Sequence, residues 1–234
     1  LVAAGPVHYT TCVMETTPPP SHGAYQLPLF PLQAVLFPGM ALPLHIFEER
    51  YRLMVSWCLE QGIGFGVCLI KSGQEVGGPA VPFDIGTSAR IINVQRLEDG
   101  RMNLLALGER RFRIHKIVQQ VPYMVAAVEY LEDLEEVRPE LLEAVRQAFT
   151  PYLRSLAALE GGWIREANLP ENPTALSYLV GQYLVVPKPV KQRLLEAPST
   201  DARLEMELVL LEEQTRRLKR ELEQKNQFQG FRLN

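Results

Sequence analysis

From Leu27 to Ile46 the chain is an apolar run broken by Pro28, Pro31, Pro38 and Pro43, which predicts extended chain interrupted by turns. Pro28 and Pro31 fix their own φ and push the residue before them out of the α region, so residues 27–32 are extended by necessity. Phe37-Pro38-Gly39-Met40 is a β-turn signal, with proline pre-set for the first central position and glycine free to take a positive φ at the second. Residues 41–46 are extended again, with Leu42, Leu44 and Ile46 on one face. The period then changes. Residues 48–61 have helical spacing, with Tyr51, Val55, Cys58 and Leu59 near one face, Glu48 and Glu49 at the positive end and Gly62 as the stop. Residues 65–70 predict a short apolar strand and residues 71–82 a glycine-rich polar loop. Residues 87–97 and 102–114 form the strongest strand pair, joined by Glu98-Asp99-Gly100-Arg101, and residues 124–131 close the β-rich half.

Helical spacing dominates the second half. Pro139 suits a first helical position, and Leu141, Leu142, Val145, Phe149, Tyr152, Leu153 and Leu156 keep helical spacing as far as Gly161. Pro151 inside that pattern predicts a kink or two abutting helices. Asn172-Pro173 opens the next helix, with Leu176, Leu179, Val180 and Tyr183 expected on its buried side, and residues 191–196 form a short one. Ser199-Thr200-Asp201 offers caps for the last helix, residues 201–226. Its Leu204, Leu208, Leu211, Thr215, Leu218 and Leu222 recur at spacings of four and three, which suits either a bundle helix or an oligomerising coiled coil through 204–222.

The expected division is a disordered extension over 1–24, a β-rich unit over 25–133 and a helical bundle over 134–234, with Glu132-Asp133-Leu134-Glu135-Glu136 as the linker. The fold class is therefore α+β. A chain of 234 residues with 47% hydrophobic and 22% charged residues has the length and composition for a real core. A formal net charge of −3 gives no global attraction to nucleic acid or anionic membrane. Cys12, Cys58 and Cys68 show no paired spacing, which favours free thiols in a reducing compartment. No apolar run approaches the roughly 20 residues of a membrane span, and no secretory signal is visible, so a cytoplasmic location is expected.

Several separated motifs carry a resemblance. They are Leu27-Pro28-Leu29-Phe30-Pro31-Leu32, Val35-Leu36-Phe37-Pro38-Gly39-Met40 and Leu42-Pro43-Leu44-His45-Ile46-Phe47-Glu48-Glu49-Arg50-Tyr51. Gly86-Thr87-Ser88-Ala89-Arg90-Ile91, Asp99-Gly100-Arg101, Gly108-Glu109-Arg110-Arg111-Phe112-Arg113-Ile114 and Pro122-Tyr123 follow in order. Together they resemble the N-terminal, substrate-binding domain of Lon proteases in its stand-alone form. The resemblance implies a PUA-like β-barrel followed by an α-helical bundle with a long C-terminal helix. It also implies binding of unfolded or exposed hydrophobic polypeptide segments, as an adaptor or quality-control factor or as the regulatory partner of an ATP-dependent protease.

Catalytic motifs fail on inspection. Where a phosphate-binding loop would end at Lys71-Ser72, the glycine before the lysine is Ile70. Gly86-Thr87-Ser88-Ala89-Arg90 puts arginine where a nucleophile elbow needs glycine. His8, His22, His45 and His115 have no metal spacing, so neither a metal nor a cofactor is expected. No segment resembles the ATPase or the serine-lysine protease modules of full-length Lon enzymes, and no enzymatic activity is expected. Because the PUA fold elsewhere binds RNA, an RNA- or small-ligand-binding module is the alternative. Arg110, Arg111, Arg113, His115 and Lys116 form the best basic cluster, but strand alternation splits it between two faces and makes nucleic acid the weaker reading. Candidate polypeptide contacts are the apolar residues of connections: Phe37 and Met40 at the Pro38-Gly39 turn, Tyr123 after Pro122, and Trp163 after Gly161-Gly162.

Overall fold

A computed structural model describes residues 25–133, 137–165 and 167–230. The expected extension over 1–24 and the Leu134–Glu136 part of the linker lie outside the described residues. Strand β1 (Tyr25–Leu32) pairs antiparallel with β7 (Met124–Tyr130) over its first five residues and parallel with β3 (Phe65–Gly73) over its last four. The two pairings share only Leu29, so Pro28 and Pro31 each sit where one edge alone is paired, the position in which a missing N–H is tolerated. β3 pairs with β5 (Ile85–Arg96), β5 with β6 (Met102–Gln119), and β6 with β7, which closes the ring back to β1. A barrel results. β4 (Ala80–Pro82) hangs on β3, inside the stretch expected to be loop, because the chain there folds back on Ile70–Gly73.

β6 is long enough to serve two partners in succession. Its first half lies between β2 (Ala41–Ile46) and β5, and its second half between the start of β5 and β7. Register shifts at Thr87/Ala89, Ile91/Asn93, Ile114/Lys116 and Ile117/Gln119 bend these strands around the barrel. Gly39 takes φ 78, and the Met40 N–H closes the turn on the Phe37 carbonyl at 3.1 Å. Helix α1 (Glu49–Gln61) covers one side of the barrel, burying Tyr51, Met54, Val55 and Cys58 against Phe30, Leu36 and Ile46.

The helices are α2 (Pro139–Leu159), α3 (Pro173–Tyr183), α4 (Lys188–Glu196) and α5 (Thr200–Gly230). α2 passes through Pro151 as one continuous helix, not two. α3 is capped by the Asn172 carboxamide, which accepts the Ala175 N–H at 2.8 Å. Tyr183, expected on its buried side, is 49% exposed, its ring edge-on to Phe149 at 6.3 Å, whereas Tyr152 of α2 is fully buried. The Tyr152 hydroxyl donates to the Tyr183 carbonyl and accepts the Val185 N–H, both at 2.9 Å. α2 and α5 run parallel: Arg138 meets Asp201 at 2.7 Å at their starts, and Lys225 donates to the Leu159 carbonyl at their ends. Leu204, Leu211 and Leu218 are buried in the same cluster as Val145, Phe149, Tyr152 and Leu153 of α2. Leu204, Leu211 and Leu218 are thus occupied within the chain, as the bundle-helix reading of the repeat expects.

The two halves share a core. Val35, Phe37, Leu69 and Ile85 of the barrel are buried among the helical side chains. Phe37 has no exposed surface and lies beside Tyr178; a Cβ added to Gly181 would meet its ring at 2.9 Å, so only glycine allows α3 this close. Above this contact sits Asp133. Its carboxylate accepts Arg111 of β6 at 2.6 Å, Arg203 of α5 at 2.9 Å and the Tyr178 hydroxyl. Burial would raise the Asp133 carboxyl, but hydrogen bonds from Tyr178 and Arg203 and the two guanidinium charges bring it below its ordinary value. Arg111 also donates to the Leu195 and Ala197 carbonyls, each at 2.8 Å, so the barrel grips the end of α4.

Candidate functional site

Helix α1 carries more apolar residues than its buried stripe needs. Leu53 and Trp57, one turn apart, are 50% and 40% exposed. Phe47 at the helix entry and Ile63 just past its end are exposed as well. An outward apolar pair on a helix already anchored by its opposite face marks a surface available to a partner.

Beside Leu53 lies the turn between β5 and β6. Gly100 N–H donates to the Leu97 carbonyl at 3.0 Å, and the Asp99 carboxylate accepts the Arg101 N–H at 3.1 Å and its guanidinium at 2.5 Å. Those bonds, backbone first, hold the Asp99 carboxyl below its ordinary value. Arg52 reaches from α1 to the Asp99 carbonyl at 3.4 Å, a long contact that spans the gap. Between helix and turn lies a cleft of about 270 Å³ lined by Glu49, Arg52, Leu53, Ser56, Arg96, Leu97, Gly100 and Met102. That volume is on the scale of a side chain or two, smaller than the roughly 300–1,000 Å³ of small-molecule pockets. The lining combines apolar floor with two guanidinium groups and one carboxylate, and contains no imidazole or thiol. The chemistry it offers is recognition, by apolar contact and charge.

The four residues singled out from the sequence lie at three different connections. Phe37 is entirely buried in the seam between the halves, so it cannot touch a ligand without opening that seam. Met40 is half-buried beside it, packed against both cores. Tyr123 leads into β7, half-buried against the barrel core, with its carbonyl accepting Gln119 Nε2 at 3.0 Å. Trp163 is 80% exposed in the connection after α2. The cleft residues Arg52, Leu53, Arg96 and Leu97 were missed. Their one sequence signal was Leu53 and Trp57 lying off the apolar face assigned to α1.

The basic cluster of β6 is dispersed. Arg111 is 2% exposed and committed to Asp133, the Arg110 guanidinium stacks 4.4 Å from the Tyr130 ring centroid, and His115 pairs with Glu129 at 3.1 Å. Among the described residues no group of three or more His, Cys, Asp or Glu could hold a metal ion, and no helix is long and apolar enough to cross a membrane.

Comparison with known proteins gives these features a family. The Lon protease of Anaeromyxobacter dehalogenans is 28% identical over 201 residues, 79% of this chain and 23% of that protein. Lon protease 2 of Syntrophobacter fumaroxidans is 30% identical over 186 residues, 77% of this chain and again 23% of that protein. This chain therefore spans less than a quarter of the length of these relatives. A crystal structure of a Lon N-terminal domain protein from Xanthomonas campestris, 29% identical, superposes with a TM-score of 0.62 over 79% of this chain and 98% of its own. The N-terminal domain of the Lon protease of the Mycobacterium avium complex shares the fold at 18% identity, with a TM-score of 0.63 over 80% of this chain and 98% of its own. The ATP-dependent protease La (LON) substrate-binding domain matches residues 26–213, and the chain belongs to that family.

Proposed function

We propose that this chain is a polypeptide-recognition module that holds exposed apolar segments of unfolded proteins in the cleft between α1 and the β5–β6 turn. The observation that carries this reading is the outward pair Leu53 and Trp57 beside a side-chain-sized cleft. Membership of a substrate-binding family supports it, and so does the burial of Arg111, which removes the middle of the basic strand that RNA binding would need. Chemistry on the bound segment falls to an ATP-dependent protease, with this module choosing what is presented. An adaptor or quality-control role follows from that division of labour.

The test is a saturation titration with a fluorescently labelled, permanently unfolded protein, without nucleotide, at low and high salt. Saturable binding that survives high salt is expected, as apolar contact is little screened. Trp57→Asp places a charge on an exposed position and should leave the fold intact while weakening binding about ten-fold or more. Absence of binding by the native chain, or an unchanged affinity in Trp57→Asp and Leu53→Asp, would sink the proposal. A steep loss with salt would point to nucleic acid-like electrostatic binding instead.

A further inference from the structure

The charges of the cleft are unbalanced. Arg52 and Arg96 both line it, against the single carboxylate of Glu49. Neither arginine forms an ion pair among the described residues, whereas their neighbours Arg50 and Arg101 are matched to Glu48 at 2.9 Å and Asp99 at 2.5 Å. Arg52 donates only to a backbone carbonyl at 3.4 Å, and its Nε is buried without a hydrogen-bond partner. Its remaining guanidinium N–H groups meet no carboxylate among the described residues, so the cleft holds more positive charge than negative. Guanidinium is also the side chain best suited to a carboxylate, which it binds through paired N–H donors.

We infer that the cleft selects polypeptide segments in which an acidic residue lies beside a large apolar one, the carboxylate between Arg52 and Arg96 and the apolar group against Leu53 and Trp57. This rests on the reading of the cleft as a polypeptide site and deepens it. The occupant is an internal segment, not a chain terminus. Apolar side chains are exposed both at the start of α1, at Phe47, and one turn beyond Leu53, at Trp57, so a bound chain has contacts to continue onto in both directions. The charge match supplies selectivity and the apolar stripe supplies adhesion. Segments that are apolar and basic meet two guanidinium groups against one carboxylate and are disfavoured.

The test uses three fluorescein-labelled peptides of one apolar sequence that differ only at a central position, Glu, Gln or Lys, titrated by fluorescence anisotropy at low salt. The Glu peptide should bind about five-fold tighter than the Gln peptide, and the Lys peptide weakest, in line with about 1 kcal/mol for a partly exposed pair. In Arg52→Gln/Arg96→Gln the ratio between Glu and Gln peptides should fall to about one. Arg96→Glu should reverse the order so that the Lys peptide binds best, a gain that a misfolded variant cannot show. Equal binding of Glu and Gln peptides to the native chain, or a Glu preference that persists in the double variant, would overturn the inference while leaving polypeptide recognition standing. If none of the three peptides binds, the inference and the reading beneath it fail together.

Discussion

Glu207 is a carboxyl group with no exposed surface and no hydrogen-bond partner on either oxygen, one helical turn from Arg203. Burial drives its pKa well above the ordinary carboxylate value, opposed only by the Arg203 charge. Arg203 itself is spent on Asp133, Ser177 and the Leu194 carbonyl, and its guanidinium lies 4.2 Å from the Tyr178 ring centroid. A group whose folded pKa is raised keeps the folded state fully stable below its unfolded pKa of about 4.5 and costs stability as pH rises through the folded value. Glu207→Gln cannot titrate. Its stability, measured by urea unfolding from pH 4 to pH 8, should therefore lack a downward slope of up to about 1.4 kcal/mol per pH unit that the native chain shows. Parallel pH profiles for the two proteins would mean that Glu207 is ionised in the folded state. Nothing in the sequence announced this residue, because Glu207 sits on a helix whose other carboxylates, such as Glu212 and Glu213, are exposed. Only its neighbours tell them apart.

Among the described residues strand β2 is paired on one side only, and its proline is placed accordingly. The Met40 carbonyl accepts the Gly108 N–H at 2.9 Å, so Met40 faces β6, and alternation turns Leu42, Leu44 and Ile46 the same way. Ala41, Pro43 and His45 then turn their backbone groups to the free edge, where Pro43 has no N–H to offer. Pro43→Val restores that donor on an exposed edge. Its unfolding free energy should stay within about 1 kcal/mol of the native chain, while sedimentation at rising concentration should reveal more self-association than the native chain shows. A variant that self-associates no more than the native chain would show that the edge is protected by other means. Elements of this kind were legible because their causes are local. The Pro38-Gly39 turn, helix α1 with its Gly62 stop, the hairpin through Asp99-Gly100 and the Asn172 cap each depend on residues a few positions apart. The parallel β1–β3 pairing, the partner of the leucine stripe on α5 and the cleft were not legible. Arg96 and Leu53 meet only through a fold that brings a hairpin end over a helix, and Phe37 is buried only because Gly181 leaves room for its ring.

For the molecule as a whole, one carboxylate joins both halves. Asp133 neutralises Arg111 of the barrel and Arg203 of the bundle, which are 2% and 0% exposed. Asp133→Asn leaves two buried guanidinium groups without a counter-charge and should cost about 3–5 kcal/mol. Far-UV circular dichroism and the fluorescence of Trp57 and Trp163 together should still report one coincident transition in urea, because the shared core spans both halves. A loss below about 1 kcal/mol, or two separated transitions, would show that barrel and bundle stand independently. The same seam bears on how the chain is made. A ribosome releases it from the N-terminus, and the Leu195 carbonyl that receives Arg111 follows it by 84 residues. At roughly 5–20 residues per second that is an interval of roughly 4–17 s. During it the nascent barrel must present Phe37, and an Arg111 that has met Asp133 but still lacks its α4 carbonyls, to the tunnel exit and to whatever chaperones wait there. A member of a substrate-binding domain family thus begins its own life as an exposed apolar segment.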